Sequence, residues 1–129
     1  MRRLLLHMGA GKTGTSVLQL FWELHREWLA QHGIWYPPGP LRPDPATKIS
    51  TGNGDWLFAA VARGEPWELF LDQVSSAPSD GDVLISSELL AYAEPSAVAE
   101  LRRQLAAVGF QLHPLYLVRN PARRPISRT

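Results

Sequence analysis

The sequence predicts a three-layer α/β domain, with a mostly parallel sheet of about four strands and helices on both faces. Two observations carry that expectation. Short segments at 4–8, 34–36, 82–86 and 110–118, the first of them almost continuously apolar and the third centred on Val83-Leu84-Ile85, have the length and character of strands. Between them lie longer stretches whose apolar residues recur at helical spacing, so strands and helices alternate. The size agrees: 129 residues, 45% hydrophobic and 19% charged, suit a single domain over 1–129 with a real core.

The elements follow in order. Residues 4–8 read as the first strand. A helix is predicted from about Thr15 to His32, with Val17, Leu18, Phe21, Leu24, Trp28 and Leu29 forming its apolar face. Gly33 suits the end of that helix, and Ile34-Trp35-Tyr36 reads as a second strand stopped by Pro37-Pro38. From 37 to 54 the chain is rich in Pro, Gly, Asp and Thr, a loop of uncommon length. Asn53 or Asp55 is a candidate cap for a helix through Val61. Glu65-Pro66 can open another through Val74. Val83-Leu84-Ile85 centres the third strand. Pro95 to Val108 repeats the helical pattern and Gly109 closes it. Residues 110–118 form the fourth strand, and a last helix is expected near Pro125.

Composition narrows the function. The net charge of +1 gives no global field toward nucleic acid, so no nucleic-acid partner is expected. With no cysteine, disulfides and thiolate metal sites are excluded. The apolar start breaks at His7 and turns polar, unlike a signal peptide, and no run is long enough to span a bilayer. The expectation is a cytoplasmic protein without stable membrane insertion.

The loop after the first strand carries the chemistry. Gly9-Ala10-Gly11-Lys12-Thr13-Gly14-Thr15-Ser16 links an apolar strand to a helix. Unpaired N–H groups at a helix start and the helix dipole both favour an anion there. Lys12 adds a mobile cation, and the hydroxyls of Thr13, Thr15 and Ser16 add donors. The spacing departs from the ordinary phosphate loop, because Leu6 stands where its first glycine would be. The plainer alternative is a glycine turn with a threonine cap.

The run from His7 to Gln19 resembles the opening of PAPS-dependent sulfotransferases, which have a P-loop NTPase-like fold; PAPS is 3′-phosphoadenosine-5′-phosphosulfate. The resemblance implies that Lys12, Thr13, Gly14, Thr15 and Ser16 bind the 5′-phosphosulfate. A second motif agrees in position. Leu117-Val118-Arg119-Asn120-Pro121 ends the fourth strand, and Ser127 follows the arginine by eight residues. By resemblance, Arg119 and Ser127 bind the 3′-phosphate, for which a guanidinium fork and a hydroxyl are suited. Pro125 fits this only if it lies in the first turn of its helix.

Ser86-Ser87-Glu88 looks like the family's third-strand ending. Glu88 is either a general base or acceptor-binding residue, or else a helix-start charge. Lys12 is the other candidate catalytic residue, stabilising the departing phosphate. No metal is expected, since no histidine has a suitably spaced partner. Ser86 occupies the place of a Walker B aspartate, which weakens a kinase reading. His7 reads as a core histidine, and the five tryptophans mostly as core. The resemblance covers only the N-terminal part of the family's domain, so a truncated form is expected. The implied activity is sulfuryl transfer to a small-molecule, carbohydrate or lipid acceptor through a hydroxyl or amine. The alternatives are a non-catalytic remnant binding PAP (the 3′,5′-bisphosphate product) or phosphate, and a small P-loop kinase. An exposed sheet edge would favour self-association.

Overall fold

The computed structural model describes residues 2–8, 15–40, 52–78, 80–87 and 94–115. Four strands, β1 (Arg2–His7), β2 (Ile34–Trp35), β3 (Asp82–Ser86) and β4 (Phe110–Leu115), form one sheet in the order β2-β3-β1-β4. Every pairing is parallel: Leu4 opposes Val83 and Leu112, and Trp35 opposes Val83. The helices are α1 (Thr15–Leu24), α2 (Arg26–Gln31), α3 (Asp55–Arg63), α4 (Glu68–Ser75) and α5 (Pro95–Ala107).

Strand alternation divides the apolar side chains between two layers of helix. Leu4, Leu6, Val83, Ile85, Phe110 and Leu112 pack with Leu57 of α3, Phe70 and Val74 of α4, and Leu101 and Leu105 of α5. On the opposite face Leu84 meets Leu29 and Tyr36, with Leu5, Trp22 and Ile34 beside them. The fold is therefore the expected three-layer α/β domain. The connection from β1 to β2 moves toward one edge of the sheet. Those from β2 to β3 and from β3 to β4 move the other way. Crossovers share one hand, so opposite directions place their helices on opposite faces.

The amino ends of β1 and β3 are tied by charge. The Arg3 guanidinium Nε donates to Asp82 (3.0 Å) and holds that carboxyl below its ordinary range. Gly33, at φ 78°, turns the chain from α2 into β2, as expected for a helix-ending glycine.

Three expectations need correction. The helix over 15–32 is two helices meeting at His25, whose φ and ψ (−114°, 32°) are not helical. Its buried face is also rotated. Phe21, Leu24 and Trp28 are 45%, 69% and 50% exposed, while Gln19 and Leu29 are buried and Trp22 packs inward. Neither Asn53 nor Asp55 caps α3; Gly54 holds the cap position and no side chain bonds there. Asn53 is used elsewhere.

Candidate functional site

In an open parallel sheet, ligands bind outside the carboxyl ends of the strands, where adjacent strands send their connections to opposite faces. Here that place lies between β1 and β3. The chain leaving β1 enters α1 on one face, and the chain leaving β3 enters α5 on the other. β4 lies on the other side of β1: His7 opposes Leu115, and Met8 N–H donates to the Leu115 carbonyl (3.1 Å). The tips of β1, β3 and β4 thus stand side by side.

Of the residues singled out from the sequence, Thr15 and Ser16 open α1 at its expected start. No acidic residue occupies that helix's first turn, so no protein carboxylate there competes for its positive end. Lys12, Thr13, Gly14, Glu88, Arg119 and Ser127 lie outside the described residues, as do the helix near Pro125 and residues 41–51 of the long loop.

The strand tips are floored by a buried polar cluster. His7 is 3% exposed, and its Nδ1 lies 2.9 Å from Ser86 Oγ. The Gln19 amide Nε2 donates to the same oxygen at 2.8 Å. With Gln19 donating, Ser86 either passes its own proton to Nδ1 or accepts one from it. Trp22 meets the imidazole edge-on, with ring centres 5.1 Å apart. His7 is thus a buried, hydrogen-bonded histidine, as expected, but its partner marks the end of the neighbouring strand.

Asn53 completes the floor. Backbone pairing between β2 and β3 stops at Trp35, because Pro37 and Pro38 bring no N–H donor. The Asn53 side chain takes over that role. Its Nδ2 donates to the carbonyls of Pro37 (2.7 Å) and Leu84 (3.1 Å), and its Oδ1 accepts from Ser86 N–H (2.7 Å). Gln73, reaching across from α4, donates to the carbonyls of Asn53 (2.9 Å) and Pro38 (3.1 Å). The two glycines beside Asn53 permit this approach. A Cβ on Gly52, at φ 93°, would stand 2.2 Å from the Ser86 carbonyl oxygen, and one on Gly54 would stand 2.6 Å from Ser87 Cβ.

Sequence reasoning missed the roles of Gln19, Asn53 and Gln73 because each bonds to residues far away in the chain. The one local signal was Gly52-Asn53-Gly54, an amide between two residues that allow close backbone packing. Trp35 and Tyr36, which end the second predicted strand, belong to the packed layers. Burial raises the Tyr36 phenol well above its ordinary pKa.

Two described clefts lie away from the strand tips. One, of about 550 Å³, runs along α1 and α2 beside Glu23, Arg26 and Trp28. The other, of about 210 Å³, lies between α3 and α4 beside Trp56 and Glu68. Among the described residues no group of three or more His, Asp or Glu side chains could hold a metal ion, and no helix is long and apolar enough to cross a membrane. No family model matches the chain, and neither a curated protein nor a solved structure matches it.

Proposed function

We propose that the protein is a PAPS-dependent sulfotransferase of P-loop-like fold, acting on a hydroxyl or amine acceptor. One observation supports this reading above the others. The three segments that carry its motifs continue from β1, β3 and β4, whose tips are neighbours at the sheet's carboxyl edge. The N-terminus of α1, with no acidic residue in its first turn, lies at the same edge and suits an anion.

In this mechanism Lys12 and the amides over 13–16 hold the 5′-phosphosulfate, while Arg119 and Ser127 hold the 3′-phosphate. The acceptor oxygen or nitrogen attacks sulfur and gives up its proton to Glu88. The bond between sulfur and the bridging oxygen breaks, and that oxygen leaves on the 5′-phosphate with the bonding electrons. Lys12 stabilises the charge that develops there. Ser86 is buried and occupied with His7 and Gln19, where a magnesium-binding kinase would carry a carboxylate.

Calorimetry with PAP, beside a turnover assay with PAPS and a panel of hydroxyl and amine acceptors, tests the reading. The wild type is expected to bind and turn over, and Lys12→Ala to lose turnover. Binding without turnover on any acceptor replaces the enzyme with a PAP-binding protein. Absence of PAP binding overturns both, and magnesium-dependent preference for ATP turns the reading to a kinase.

A further inference from the structure

We infer that Ser86 is a positioning residue for the anion-binding loop, holding both of its flanks on one hydroxyl; this rests on the reading above. His7 is the last residue of β1, just before the loop, and Gln19 lies one turn into α1, just after it. The two are twelve positions apart, yet both bond to Ser86 Oγ, at 2.9 and 2.8 Å. That oxygen belongs to the adjacent strand and is fully buried, as is Gln19. The bond from Gln19 is shielded from water, where breaking it leaves a desolvated amide without a partner.

Ser86 is itself held in place. Its N–H is bonded to Asn53, its carbonyl accepts from Gly54 N–H (3.0 Å), and the following Ser87 N–H donates to the His7 carbonyl (3.0 Å). The Gln19 oxygen Oε1 has no partner among the described residues, so the amide's hydrogen bonding rests on Nε2 and Ser86. The end of β1 and the first turns of α1 are thereby referred to one fixed point. A loop whose amides must converge on a phosphate gains from flanks set in this way, because less ordering is left for the ligand to impose.

A double-mutant cycle with Ser86→Ala and Gln19→Met tests the inference, with PAP affinity measured well below each variant's melting temperature. Ser86→Ala is expected to weaken binding about ten-fold, the equivalent of one or two hydrogen bonds. Gln19→Met is expected to weaken it several-fold alone and to add nothing once Ser86 is alanine. A purely structural role would lower the melting temperature and leave affinity unchanged, which overturns the inference. So would additive effects of the two changes. Hydrogen exchange gives a second arm that needs no ligand. In Ser86→Ala the amides of residues 19–22 should exchange about ten-fold faster, with β1 and β3 unchanged; equal exchange overturns the anchor. If the wild type binds no PAP, the sulfotransferase reading fails, and the exchange arm still decides whether Ser86 anchors the loop flanks.

Discussion

Asn53 and Tyr36 show opposite uses of a buried polar group. Asn53 is fully buried, and its side chain makes three hydrogen bonds, all to backbone. Asn53→Ala strands the Ser86 N–H and the Pro37 carbonyl, and should lower unfolding free energy by about 3 kcal/mol or more in urea titrations. Tyr36 is also fully buried, but its hydroxyl has no partner among the described residues. Tyr36→Phe should therefore leave stability at neutral pH unchanged or raise it by up to about 1 kcal/mol. The same residue sets an alkaline response. Burial raises the folded-state pKa, so the folded protein resists ionisation, whereas the unfolded phenol ionises near about pH 10. This contribution is fully present below that pH and is lost as pH rises above it. Urea titrations from pH 8 to 11 should show the loss in wild type and a shallower one in Tyr36→Phe.

At the scale of elements, α1 and α2 turn a different face to the sheet than their apolar pattern suggests. Trp22 lies between His7 and Tyr36, edge-on to the first and tilted to the second, with ring centres 5.1 and 6.0 Å away. Trp28 is half exposed and lies against His32 at 4.3 Å. Trp22→Ala should cost about 2–4 kcal/mol in thermal or urea unfolding, and Trp28→Gln within about 0.5 kcal/mol. A larger loss at Trp28 than at Trp22 would mean that the helices pack as their apolar pattern implies. That pattern went astray at Gln19, which reads as a surface residue until its partner on β3 is known. Strands were easier to read: β3 matches its expected bounds, because a buried parallel strand is marked by its own apolar residues. Asn53 was misassigned as a cap for the converse reason, since a residue before a helix looks the same whether it bonds to that helix or to a distant strand.

For the molecule as a whole, the decisive feature is that β1 lies between β3 and β4 with all strands running one way. Alternation of strands and helices made the layers legible, but the order β2-β3-β1-β4 depends on pairings between segments far apart in sequence. That order brings side by side the strand ends from which motifs more than a hundred residues apart continue. Adjacent strands are about 4.8 Å apart, so loops rising from β1 and β4 start within reach of one nucleotide. A nucleotide held there should leave a footprint on one edge only. Saturating PAP should shift the amide resonances of His7, Met8, Ser87 and Leu115, and leave Arg3, Asp82 and Phe110 at the opposite edge unmoved. Ligand at 100 times its Kd adds about 2.7 kcal/mol to the folded state. For a domain of 129 residues that should raise the melting temperature by about 10 °C. Shifts confined to the cleft along α1 and α2 would place the nucleotide away from the strand tips. The switch point between β1 and β3 would then lose its claim to the site, whatever the affinity.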